Sequence, residues 1–175
     1  GHVAGVSWEL LGEGQKLAKK LGTQLEAVVL GHDVDAIARE ALNYGASKVY
    51  LIDHPLLMHY RPAPYAKSLT ELATSRPPQI LLIGATRNGR DLASIVATKI
   101  HAGLTADCTS LDIEPDTGLL LQIRPTFGGS QLAMIMTPKH LPQMSTVRPG
   151  VFAKPTKIKG TGEIERVKID LREEE

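Results

Sequence analysis

The sequence predicts an α/β fold: a three-layer domain with a mainly parallel sheet flanked by helices, continued by a β-rich C-terminal extension. Three observations predict it. The segment Ile80-Leu81-Leu82-Ile83 is apolar without alternation, as a strand covered on both faces of a parallel sheet must be. Strands and helices alternate from Leu25 to Ala97, the pattern whose right-handed crossovers build such a sheet. From Thr105 onward, short strand-like segments follow one another with turns but no helices between them.

In chain order, Ser7 is the expected N-cap of a helix over Trp8 to Leu21. Trp8, Leu10, Leu11, Leu17, Ala18 and Leu21 form its apolar stripe and Gly22 its stop. A parallel domain normally opens with a strand, and here only Val3 to Val6 could serve. A strand Leu25 to Leu30, a helix Val34 to Tyr44 closed by Gly45, and a strand Lys48 to Ile52 come next. After a proline-rich loop, Pro64 starts a helix running to Ser75, with Pro64 in the first turn where no N–H is missed. The strand Ile80 to Ile83 ends at Gly84, and the following helix is expected to begin near Gly89 or Arg90. The extension reads as strands Thr109 to Ile113, Leu119 to Arg124, Leu132 to Thr137 and Met144 to Val147. Asp116-Thr117-Gly118 turns Leu111–Ile113 back onto Leu119–Leu121 as a hairpin. A last half-buried strand is expected over Glu163 to Leu171, ahead of Arg172-Glu173-Glu174-Glu175, which reads as a linker cut short. Residues 1–155 therefore read as the α/β domain and 156–175 as terminal strand and linker.

Composition narrows the function classes. Lys+Arg 20 against Asp+Glu 19 leaves a net charge of +1, so no field favours nucleic acid or an acidic membrane. Aromatic residues, at 4%, are too few for base-stacking platforms. A lone Cys108 excludes an internal disulfide or a cysteine zinc cage and reads as a small buried hydrophobe. No apolar run reaches the roughly 18 residues of a membrane span. The opening residues show neither the basic region nor the apolar core of a signal peptide, and Gly1-His2 reads as a tag remnant.

The turn after Ile83 is the first candidate site. A helix N-terminus presents unpaired N–H groups and a positive dipole end, and Thr86, Arg87, Asn88, Gly89 and Arg90 add donors that would suit a phosphate. The Walker lysine and the full GxGxxG spacing are missing, since only Gly84 and Gly89 are present. The competing reading is a tight turn whose Arg90 and Asp91 pair with each other or with neighbouring loops. A second candidate is Arg124-Pro125-Thr126-Phe127-Gly128-Gly129, an arginine at a strand end before two glycines that let another chain approach closely. Arg148-Pro149-Gly150 repeats that grammar. Arg124 and Arg148 suit carboxylate or anion recognition, against intradomain pairing with Asp91, Asp107 or Asp112. The histidines are dispersed without a ligand pair on a helix, and no serine lies in a GxSxG elbow, so neither a metal centre nor covalent catalysis is expected.

Six blocks, in order, carry a family likeness: Ser7-Trp8-Glu9-Leu10-Leu11-Gly12; Asp53-His54-Pro55-Leu56-Leu57 with Tyr60-Arg61-Pro62; Gly84-Ala85-Thr86 with Gly89-Arg90-Asp91-Leu92-Ala93; Gly103 through Thr109; Arg124 through Gly129; and Pro142-Gln143-Met144 with Thr146 through Gly150. Together they resemble the N-terminal domain of the alpha subunit of electron-transfer flavoprotein. The resemblance implies a fold related to adenine-nucleotide-binding α/β domains (adenine-nucleotide-alpha-hydrolase-like). It further implies a non-enzymatic scaffold that pairs with a beta subunit, with Arg124, Phe127, Gly128, Gly129 and Arg148 as interaction candidates. FAD would sit in a C-terminal domain whose motif no segment here matches, leaving this chain without a redox centre of its own. The intact heterodimer would carry electrons from flavoprotein dehydrogenases to a quinone reductase or other acceptor, in the bacterial cytoplasm or the mitochondrial matrix. A stand-alone adenine-nucleotide or phosphate-binding domain using Thr86, Arg87, Gly89 and Arg90 is the alternative. Family members also open with a hydrophobic strand ahead of the first helix. No segment here matches it, so unpaired strand edges or a groove are expected in the sheet.

Overall fold

The computed structural model describes residues 2–173. Gly1, Glu174 and Glu175, at the ends of the two expected segments, lie outside the described residues, as do part of the expected tag remnant and part of the expected linker. Helix α1 (Gly5–Leu21) opens the fold. Ala4 is its N-cap, without a side-chain bond, and Ser7 lies in its first turn, so neither the Ser7 cap nor the strand at Val3 to Val6 forms. The physical reason is Val6: it buries against the sheet as the first apolar residue of the α1 stripe, drawing the helix back past Ser7. The helix stops where expected, with Gly22 left-handed at φ 64°.

Strand β1 (Glu26–Gly31), helix α2 (Asp35–Asn43) and strand β2 (Lys48–Asp53) form a parallel unit. Helix α3 (Pro62–Ser75) begins two residues before the expected Pro64, because Pro62 itself occupies the first turn. Strand β3 (Ile80–Gly84) leads to helix α4 (Arg87–Lys99), which begins ahead of the Gly89 or Arg90 expected, because Thr86 supplies the cap. Strand β4 (Leu104–Cys108) was not read from the sequence. Its partner lies far along the chain, and only the pairing with strand β8 (Gln143–Val147) makes it a strand.

The β-rich extension is present, but its strands divide between two sheets. Strands β5 (Ser110–Ile113), β6 (Leu120–Thr126) and β7 (Gln131–Ile135) form an antiparallel sheet in that order, with the expected hairpin pairing Ile113 with Leu120. Strand β8 instead enters the parallel array between β3 and β4. Strand β9 (Glu163–Arg166), shorter than the Glu163–Leu171 segment expected, runs parallel to β2. Past its end, Val167 still donates its N–H to the Leu51 carbonyl at 2.9 Å, and Val167 and Ile169 pack against the Tyr50, Ile52 and Leu171 cluster.

The parallel strands form two ladders, β1-β2-β9 and β3-β8-β4. Burial separates them by position. Strands β2 and β8, flanked on both sides, are buried along most or all of their length, whereas the equally apolar β1 and β3 are only half-buried. Along both runs a cavity of about 1090 Å³. Helix α1 lies on one face of it, packing Trp8 and Leu11 with Val29 and packing Val6 and Leu10 with Ile80 and Leu82. Helix α3 lies on the other, where Ala66 and Leu69 share a cluster with Val28, Leu30, Leu81 and Ile83. The resemblance implied unpaired edges or a groove. Among the described residues β1 has only β2 as a ladder partner and β3 only β8.

Candidate functional site

The turn between β3 and α4 is closed by its own atoms. Thr86 Oγ1 accepts the Gly89 N–H at 3.0 Å, the ordinary N-cap bond. A Cβ on Gly89 would fall 1.9 Å from the Gly84 carbonyl oxygen, so only glycine permits this approach of helix to strand. Arg90 makes a two-pronged contact with Asp107, Nε to Oδ1 at 2.9 Å and Nη2 to Oδ2 at 3.1 Å, which raises the guanidinium pKa further. Asp107 is held for it in a left-handed conformation (φ 57°) and donates its N–H to Thr146 Oγ1 at 2.9 Å. Asp91 accepts from Tyr60 Oη at 2.6 Å, and burial together with that carboxylate pushes the phenol pKa up. Arg90 and Asp91 therefore pair with neighbouring segments and not with each other. Of the anion-site candidates, Gly89 gives its N–H to the cap and Arg90 is bound to Asp107, while Arg87 remains exposed. A dinucleotide pyrophosphate needs several convergent free donors, and this turn does not fit that requirement.

Both Arg-Pro arginines lie beside Cys108. The Arg148 N–H donates to the Cys108 carbonyl at 2.9 Å, and the Arg124 guanidinium acts on the Cys108 thiol. Burial nevertheless dominates and pushes that thiol's pKa up, and Cys108 is wholly buried, as expected of a small hydrophobe. The intradomain pairing considered for Arg124 and Arg148 does not form among the described residues. Asp107 holds Arg90, Asp91 holds Tyr60 and Asp112 holds Lys20, while the Arg124 Nε is buried without a hydrogen-bond partner.

Beyond Arg124 the β6–β7 ribbon carries an apolar tip and row. Phe127 at the turn is 81% exposed, with φ 47°, and Gly128 and Gly129 follow it at φ 67° and 93° with open space around them. On β7, Leu132 and Met134 are 70% and 64% exposed, with Met136 just past the strand end at 46%. Their spacing of two places them on one face of an edge strand. Exposure in this amount is unusual for a surface that stays in water. The Phe-Gly-Gly signal pointed to the tip. The row along β7 was missed, because apolar residues that alternate in a strand read equally well as core.

The fold gathers at the carboxyl ends of β1 and β2 three residues that the sequence did not bring together. Ligand atoms of His32, Asp33 and Asp53 lie within 4.8 Å of one another. Asp53 accepts the Asp33 and Val34 N–H groups at 3.0 and 3.1 Å, which anchors the entry to α2. That role accounts for the place of Asp53 in the cluster.

These features define a parallel α/β domain that carries an exposed antiparallel ribbon and whose nucleotide-type turn is closed on itself. The family model for the electron transfer flavoprotein domain matches residues 1–171, and the chain belongs to this family. It is 52% identical to the protein FixB of Rhizobium meliloti, an alignment covering 100% of this chain and 51% of that protein. It is 49% identical to the electron transfer flavoprotein subunit alpha of Thermoanaerobacterium thermosaccharolyticum, over 88% of this chain and 46% of the relative. A FixB protein of Clostridium saccharobutylicum matches at 46% over 98% of this chain and 51% of its own length. The chain thus spans about half the length of the curated relatives it matches. No helix among the described residues is long and apolar enough to cross a membrane.

Proposed function

We propose that this chain is the N-terminal interaction domain of an electron-transfer flavoprotein alpha subunit, docking a beta subunit and carrying out no redox chemistry itself. The exposed row Phe127, Leu132 and Met134 carries this reading: large apolar anchors left in water along an edge strand have the composition of a docking surface. FAD would be bound by a further domain of the intact subunit. The heterodimer would accept electrons from flavoprotein dehydrogenases and pass them to a quinone reductase or another acceptor. Residues 1–155 would form the docking domain and 156–175 would lead towards the FAD domain.

Mixing the chain with a beta subunit of the same family and weighing the product by light scattering tests the proposal. A one-to-one complex is expected, and two separate monomer peaks would overturn it. Calorimetry with AMP, ADP and FAD tests the nucleotide-binding alternative, for which the closed Thr86–Arg90 turn is unfavourable. No binding heat is expected at millimolar ligand.

A further inference from the structure

The face of β6 turned toward the parallel array is polar where a core is expected to be apolar. Leu120, Gln122 and Arg124 alternate onto that face, and Gln122 is wholly buried. Leu120 donates its N–H to Gln143 Oε1 at 2.8 Å, and Ser145 Oγ donates to Gln122 Oε1 at 2.5 Å. Both Gln143 and Ser145 belong to β8 and are buried. The Cys108 sulfur of β4 lies 3.7 Å from the same Ser145 hydroxyl and feels the charge of the Arg124 guanidinium. One side-chain cluster thus joins β6, β8 and β4.

The hydrogen bonds of this cluster leave a one-sided remainder. Gln122 Oε1 is taken by Ser145, and the Cys108 thiol reaches the Thr105 carbonyl at 3.8 Å. Gln122 Nε2 and Arg124 Nε are buried with no hydrogen-bond partner among the described residues. Both are donors, and the guanidinium carries a positive charge that no ordinary pH removes. A buried charge without a counter-charge is costly, and the carboxylates that could serve, Asp91, Asp107 and Asp112, bind Tyr60, Arg90 and Lys20. Residues two apart on a strand stand about 6.7 Å from each other, and one acceptor about 3 Å from each donor spans about 6 Å. A water molecule in that place brings two hydrogens of its own, for which Gln122 Nε2 and Arg124 Nε offer no acceptor.

We infer that β6 and the parallel array hold a buried site for one small monovalent anion of the halide class, bound between the Gln122 amide and the Arg124 guanidinium. The ion supplies the acceptor and the counter-charge in a single atom. It also ties the base of the exposed β6–β7 ribbon, two residues before β6 ends at Thr126, to the parallel array. A polyatomic anion such as phosphate brings more oxygens into a packed interior than these two donors can satisfy. This inference makes no use of the electron-transfer reading.

Chloride is the probe, replacing gluconate at fixed ionic strength so that screening stays constant. The thermal midpoint of the 175-residue chain is expected to rise by about 4 °C once chloride reaches about ten times its dissociation constant. Gln122→Glu keeps the bond from Ser145 and puts a second carboxylate oxygen where the ion sits, so its midpoint is expected to ignore chloride. Arg124→Met, which removes the charge, is expected to ignore it too. Bromide gives a readout on the unaltered chain: crystals grown in bromide are expected to show an anomalous-scattering peak between Gln122 Nε2 and Arg124 Nε. A wild-type midpoint indifferent to chloride would mean that the Gln122 amide is turned to accept from Arg124 directly, and would overturn the inference. A chloride response that both variants retain would overturn it as well, as would bromide found only at other places, an adventitious ion only.

Discussion

At the scale of single residues, the β3–α4 turn depends on contacts with almost no slack. Gly89→Ala places a methyl against the Gly84 carbonyl, and backbone cannot move aside as a flexible side chain can. The substitution is expected to lower stability by about 2 kcal/mol, read as a fall in the urea midpoint. Thr86→Ala removes the cap and is expected to cost about 1 kcal/mol in the same experiment. The Arg90–Asp107 pair looks stronger than it is: the two side chains are 52% and 26% exposed, so solvent screens them. A double-mutant cycle is expected to return a coupling below about 1 kcal/mol. That Arg90 would pair with a neighbouring loop was readable from its place after a glycine-bounded turn. That the partner would be Asp107, held left-handed by the bend between β4 and β5, depended on contacts 17 residues apart.

At the scale of elements, β9 shows how a terminal strand is held on a sheet. Lys48 of β2 pairs with both Glu163 and Glu165 across the ladder, Arg76 also reaches Glu165, and Arg166 pairs with Asp35. The Lys48 hydrogen bond holds the Glu165 carboxyl below its ordinary value of 4.5. A carboxylate whose folded pKa is depressed contributes stability that is present above the unfolded value and lost as the pH falls through the folded one. Amide protection in β9 is therefore expected to persist at pH 7 and to fade below about pH 4.5. Lys48→Met should weaken β9 at neutral pH and flatten that acid dependence. Hydrogen exchange across a pH series checks both. Strand β9 was legible as a half-buried segment, but its early end was not, because Val167 and Ile169 alternate as well past the strand end as within it.

At the scale of the whole molecule, one surface follows from how the sheets are assembled. The β6–β7 ribbon stands at the edge of its own sheet, and its exposed row contributes little to the fold. Phe127→Asp and Met134→Asp are expected to change stability by no more than about 0.5 kcal/mol while weakening the complex with a beta subunit by more than about tenfold. Thermal unfolding and a binding titration on the same samples separate the two effects.

The sequence by itself determined the local classes of structure: the apolar β3, the α1 stop at Gly22, the Asp116–Gly118 hairpin and the family likeness, since each rests on residues a few positions apart. Only the tertiary structure decided that β8 leaves the antiparallel run to lie between β3 and β4, and that Asp107 takes Arg90. Strand partnership and burial depend on contacts distant in sequence, and neither period nor propensity along one segment encodes which distant edge it will meet.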